Sequence, residues 1–149
     1  MIDITKIIIK TMEKSDLDLI KDVINTDFDE FWSYDNILNE IKNENSEFLV
    51  CIYDNEIIGF GGIRITLDIA ELMFIVIRKD FRNQGIAKLL LNTFIQIAKE
   101  NSLSCIQLEV NENNEYAIKL YRDFDFKEVG LRKKYYMNKY DAILFTLEL

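Results

Sequence analysis

The chain has no histidine, no proline, two cysteines and five glycines in 149 residues. Without histidine, every triad that relies on an imidazole base is excluded, and with only two thiols most zinc sites go too. No metal is expected. The missing proline, with no low-complexity tract and no repeat, leaves nothing that reads as a linker. A single domain over residues 1–149 is the expectation. No apolar run approaches the length of a membrane span and no stretch reads as a signal peptide, so the expected setting is cytoplasmic, with no membrane partner. Positive charge is also scarce, 18 Lys and Arg against 26 Asp and Glu, for a net charge of −8. Nucleic-acid binding depends on clustered Lys and Arg, so no nucleic-acid partner is expected. An anionic ligand must find a local basic patch. Residues 78–88 offer one, with Arg78, Lys79, Arg82 and Lys88 against Asp80 as the single acid.

What is present is enough for a core: 49% of residues are hydrophobic and 12% aromatic. Both cysteines, Cys51 in "FLVCIY" and Cys105 in "SCIQLEV", sit in apolar runs and read as core thiols. "ITKIIIKTM" reads as a strand. "SDLDLIKDVINTDF" has helical spacing after Ser15 as N-cap, and "SYDNILNEIKNE" a second helix capped from Ser33 or Asp35. "EFLVCIYDNEIIGFGGIRIT" is a hairpin about "DNE", and "AELMFIVI" adds a third strand to an antiparallel meander. An amphipathic helix, a strand "LSCIQLEV", a helix "NEYAIKLYRDF" and a closing strand pair follow. The order βααβββαβαββ defines an α+β domain: a mixed, mainly antiparallel twisted sheet flanked by helices, with one parallel crossover near residues 69–110.

The segment "RNQGIAKLLL", residues 82–91, puts Gly85 at a helix start between Arg82 and Lys88. The first amides of a helix lack partners and carry partial positive charge, so anions bind there. A glycine lets a phosphate come close. The same glycine also suits a plain turn. Neither dinucleotide nor nucleoside-triphosphate fingerprints are found.

From Val76 to Tyr136, "VIRKDFRNQGIAKLLLNTFIQIAKENSLSCIQLEVNENNEYAIKLYRDFDFKEVGLRKKYY" resembles the GNAT superfamily of acetyl-CoA-dependent N-acetyltransferases. The family's Q/R-x-x-G-x-G/A motif is matched by Arg82-Asn83-Gln84-Gly85-Ile86-Ala87. "LEV", "N-x-x-A-I-x-L-Y" and "YY" follow in order, as in the RimI-type N-terminal acetyltransferases that modify a ribosomal protein. The resemblance implies that the backbone of Ile75, Val76 and Ile77 holds the pantetheine arm of acetyl-CoA, that Arg82, Asn83, Gln84, Gly85, Ile86, Ala87 and Lys88 wrap its pyrophosphate, and that Asn114 also touches it. The sequence departs from the family at Asn83 and Ala87, where relatives often carry Arg and Gly, and at Phe31, which stands where a Pro often precedes Trp-Ser. In "RDFDF", Asp125 must take the helix-ending turn usually given to glycine. "MNKY", after "YY", is a shortened segment.

An acceptor amine attacks only when neutral, so a base helps. Alternation in "SCIQLEVN" puts Glu109 opposite the Ile106, Leu108 and Val110 face. By resemblance it is the proton acceptor; by residue type alone it is a solvated glutamate. Tyr121 belongs to an apolar helical stripe and alone reads as core, whereas the family match makes it the proton donor to the leaving thiolate. Trp32 and Tyr135 are either walls of an acceptor slot or ordinary packing. The resemblance implies an acetyl-CoA-dependent N-acetyltransferase using direct amine attack, with a protein N-terminus as acceptor. A small amine such as a polyamine or amino sugar is the alternative, and a non-catalytic acyl-CoA-binding module a further one. The first 60 residues hold 14 acids and 5 bases, which suits a basic acceptor.

Overall fold

A computed structural model describes residues 1–29, 32–136 and 139–149, with Tyr136 described by its main chain alone. Phe31 and the first half of "MNKY" lie outside the described residues. The strands run in the order β1-β2-β3-β4-β5-β7-β6, and the chain divides into two compact units, residues 1–64 with 73–94 and residues 65–72 with 95–149.

The first unit begins with a turn of 3-10 helix at Ile4–Lys6, and β1 covers only Ile8–Thr11. The apolar, β-branched run predicts a strand from Ile4. Asp3 prevents it: its carboxylate accepts from the Thr5 amide at 3.1 Å and the Thr5 hydroxyl at 2.6 Å, curling the backbone before the strand can start. Helix α1, Lys14–Ile20, has its N-cap at Glu13, two residues before the expected cap, Ser15. Asp16 closes the end instead, accepting from the Glu13 amide at 2.9 Å and the Lys10 ammonium at 2.8 Å. The expected single helix breaks after Ile20, and a wide π turn at Ile24–Phe28 lets both of its end residues reach the core. Helix α2, Tyr34–Ile41, is capped by Ser33, whose hydroxyl accepts from the Asn36 amide.

Strands β2, Ser46–Tyr53, and β3, Glu56–Thr66, form the expected hairpin. Asp54 and Asn55 both have positive φ, which matches the twist of the flanking strands in a two-residue turn. Strand β4 is Ile69–Ile77. A core of Met12, Leu17, Phe28, Ile37, Phe48 and Phe60 fills the first unit, with Phe74 and Trp32 packed on it.

In the second unit the start of β4 pairs in parallel with β5, Cys105–Asn111, from Ile69↔Cys105 to Glu71↔Gln107, as the crossover requires. The sheet continues antiparallel through β7, Tyr140–Glu148, to β6, Lys127–Tyr136. Helix α3, Ile86–Glu100, precedes β5, and helix α4, Glu115–Asp123, follows it.

Candidate active site

Helix α3 opens differently from the other long helices. Ser33 caps α2, and the Asn114 side chain caps α4 by accepting from the Ala117 amide at 3.1 Å. At α3 the cap position falls on Gly85, whose carbonyl takes the first helical bond from Leu89 at 3.2 Å. Glycine has no side chain with which to cap. The amides of Gly85, Ile86, Ala87 and Lys88 consequently have no acceptor among the described residues. Gly85 has φ +83, and a Cβ there would meet only Ile4 Cδ1, at 3.5 Å. Room is available for a side chain, so the left-handed backbone is what demands glycine. Asn83 is also left-handed, φ +63, and the two together curl the loop around the helix mouth.

The cations of this segment divide into two pairs. Arg78 binds Asp80 at 2.8 Å and Glu56 at 3.5 Å. Arg82 donates from Nε to the Ile77 carbonyl at 2.9 Å and from its terminal nitrogen to the Phe28 carbonyl at 3.1 Å, with Asp29 at 3.4 Å. Lys79 and Lys88 have no acidic or hydrogen-bonding partner among the described residues. The local charge surplus is therefore smaller than the segment alone indicates, because Glu56 and Asp29 arrive from distant positions. Gln84 is occupied as well, its side-chain oxygen accepting from the Ile2 amide at 2.9 Å. What remains uncommitted in this segment is main-chain N–H at the helix mouth and the two lysines, Lys79 and Lys88, and groups of these types suit a diphosphate. Ile75, half-buried, and Val76 and Ile77, buried, lead into the loop along β4. Trp32 stacks on Phe74 at 5.1 Å between ring centroids, so its apolar surface is shared with the core cluster.

In the second unit the alternation of β5 is as expected: Ile106, Leu108 and Val110 are buried and Gln107 is exposed. Glu109 keeps 28% of its side-chain exposure and forms an ion pair with Arg132 of β6 at 2.8 Å. Sequence reasoning passed over Arg132; the signal was its place in "RKKYY", beside a residue already singled out. Tyr135 is 49% exposed, with the Arg132 guanidinium 4.7 Å from its ring centre.

Tyr121 is buried. Its position is set by how α4 ends. Asp125 has φ +67, its amide reaches the Arg122 carbonyl at 3.0 Å, and the Phe126 amide reaches back to the Tyr121 carbonyl at 3.0 Å. This turn brings the Phe126 ring to 5.5 Å from the Tyr121 ring, with Phe145 at 6.4 Å on another side. Asn114 is exposed, and its oxygen is committed to the cap. Both cysteines are buried, and desolvation pushes the Cys51 thiol up to about 12, which leaves it protonated and inert at neutral pH. Among the described residues no cluster of three or more potential metal ligands occurs, and no helix is long and apolar enough to cross a membrane.

A helix mouth with free main-chain amides, after an antiparallel hairpin and before a parallel crossover, is suited to holding the diphosphate of an anionic cosubstrate. The chain belongs to the acetyltransferase (GNAT) family, whose profile matches residues 17–126, and it is an acetyl-CoA-dependent N-acetyltransferase. A protein of Bacillus subtilis provisionally named a ribosomal protein bS18-alanine N-acetyltransferase is 30% identical over 147 residues, 97% of each chain. The Haemophilus influenzae ribosomal protein bS18-alanine N-acetyltransferase is 37% identical over 105 residues, 70% of each chain. Among solved structures, the ribosomal-protein-alanine N-acetyltransferase of Escherichia coli superposes with a TM-score of 0.87 at 26% identity, covering 95% of this chain and 93% of that one. An N-acetyltransferase of Thermoplasma acidophilum in complex with coenzyme A superposes at 0.78 with 20% identity, covering 96% and 99%.

Proposed function

We propose that this chain, acting as one acetyltransferase domain over residues 1–149, acetylates the N-terminal alanine of a ribosomal protein. The observation that carries the reading is likeness along almost the full length to a relative provisionally named for that reaction. The uncapped α3 mouth supports the cosubstrate assignment. Its four amides, with Lys79 and Lys88, would hold the diphosphate of acetyl-CoA, while the β4 main chain at Ile75–Ile77 would hold the pantetheine arm as an added strand. Asn114 retains its amide hydrogens and would also touch the cosubstrate. An excess of acids in the first 60 residues favours a basic acceptor chain, as ribosomal proteins are.

The cosubstrate supplies an activated thioester. The acceptor nitrogen forms the new C–N bond to the acetyl carbon, and the C–S bond breaks. Glu109 takes the amine's proton, directly or through one water, and Tyr121 gives a proton to the departing sulfur. No acyl-enzyme is needed, and the state of Cys51 agrees with that. Trp32 and Tyr135 would border the acceptor.

Thiol release from acetyl-CoA, measured with an alanine-starting ribosomal peptide beside polyamines and amino sugars, tests the reading. Turnover is expected with the peptide; turnover with small amines alone replaces the acceptor assignment, and none with any amine points to a binding module. Tyr121→Phe keeps the ring packing against Phe126 and Phe145 and removes only the hydroxyl. It should lower kcat on the order of tenfold or more, with coenzyme A affinity unchanged in calorimetry.

A further inference from the structure

We propose that Arg132 is a positioning residue that holds the Glu109 carboxylate in its working orientation, with the Tyr135 ring as its support. The inference rests on the reading of Glu109 as proton acceptor. In the sheet, Glu109 stands opposite Leu144 and Leu144 opposite Gly130; one rank along the same face come Asn111, Ala142 and Arg132. Arg132 thus lies two strands from β5, with β7 between, and one rank off, and its guanidinium crosses β7 diagonally to come within 2.8 Å of Glu109 Oε1.

The diagonal passes between Leu144 and Ala142 of β7, and the Ala142 side is short. Ala142 is fully buried and ends at its Cβ, and Gly130 has no side chain, where an added Cβ would stand 3.2 Å from Leu144 Cδ1. The guanidinium carbon is seated 4.7 Å from the Tyr135 ring centre, so the cation is held on one side by the ring and on the other by the carboxylate. Glu109 Oε2 has no partner among the described residues.

Folding stability does not account for this pair. The two side chains are 53% and 28% exposed, and ion pairs that open to solvent contribute little. For catalysis the geometry matters more. A glutamate on a solvent-facing strand samples several rotamers, and fixing one oxygen leaves the other aimed at the amine or its relay water before the acceptor arrives. Arg132 acts through Glu109 and does not itself exchange a proton.

A double-mutant cycle separates this from a structural role. Thiol-release kinetics would be measured for Arg132→Gln, Arg132→Lys, Glu109→Gln and the Arg132→Gln, Glu109→Gln double variant, with acetyl-CoA and the alanine-starting peptide. Arg132→Gln is expected to lower kcat about tenfold while KM for acetyl-CoA stays within about twofold. Arg132→Lys should recover part of the loss, since the charge remains and the fork does not. The double variant should be no slower than Glu109→Gln alone, because nothing is left to position. An unchanged kcat in Arg132→Gln, or the same tenfold loss on top of Glu109→Gln, overturns the inference while leaving the base assignment standing. An unchanged kcat in Glu109→Gln removes the base assignment, and this inference goes with it.

Discussion

The mouth of α3 and the carboxylate of Glu109 are built on opposite terms. At the first, the useful groups are main-chain amides, and nearby side chains are turned to other work: Arg82 ties Ile77 and Phe28 together, and Gln84 holds Ile2. At the second, the group proposed to act is a single side chain, with Arg132 on one oxygen and Tyr135 against Arg132. On the proposed reading, binding would depend on backbone shape and so tolerate changes such as Asn83 and Ala87, whereas chemistry would depend on particular functional groups.

The sharpest test removes the group on which the second region depends. Glu109→Gln keeps size and strand position but cannot accept a proton, so kcat should fall by about 100-fold or more, with coenzyme A binding within about twofold by calorimetry. A comparable loss of binding would dissolve the contrast, since Glu109 would then serve both ends of the reaction.

Gly85→Val attacks the first region through the backbone. The cost of a β-branched residue at φ +83 is about 2 kcal/mol. If the loop relaxes to avoid it, the amides lose their common aim. Coenzyme A affinity should fall at least tenfold, while kcat at saturating acetyl-CoA changes much less. An affinity as strong as wild type would mean that the curl of this loop does not matter to binding.

Arg82→Met should act mainly on stability. The side chain joins the end of β4 to the π turn at Ile24–Phe28, and loss of hydrogen bonds from a charged donor to two carbonyls costs roughly 2 kcal/mol. For a chain of this size that is a fall in Tm of about 4–8 °C. Coenzyme A affinity should suffer less than in Gly85→Val. A larger loss would put the guanidinium back on the pyrophosphate, as the motif alone implies.

Arg82 also marks the boundary of what was legible in the sequence. Element order could be read because the helices and strands carry their own periods, and Gly85 could be singled out from its place at a helix start, although the left-handed backbone that demands glycine there was not read. Asp125 was legible as a left-handed helix end, because that is a local demand of the turn after α4. Partners distant in sequence were not: Arg82 meets the Phe28 carbonyl 54 residues away, Arg78 meets Glu56, and Glu109 meets Arg132 across a strand whose register nothing local prescribes. The early misreadings have a local cause. In Ile4–Lys6 and at Glu13, an aspartate bonding to a nearby amide outweighed apolar period and cap preference.

Asp125→Gly is the smallest and most informative change on the catalytic side. Asp125 occupies the left-handed turn that ends α4 and brings Phe126 against Tyr121. Glycine removes the strain of an L residue there, about 1 kcal/mol for a residue type that partly tolerates the region, but adds freedom to the unfolded chain that offsets part of the gain. The net should be a stabilisation of about 0.5 kcal/mol, read as a rise in Tm of one to two degrees. Turnover should stay at the wild-type level, because the hydrogen bonds from Asp125 to Arg122 and from Phe126 to Tyr121 use only the backbone. If turnover falls while Tm rises, the placement of Tyr121 depends on the Asp125 side chain, and the proposed catalytic group extends past the C-terminal end of α4.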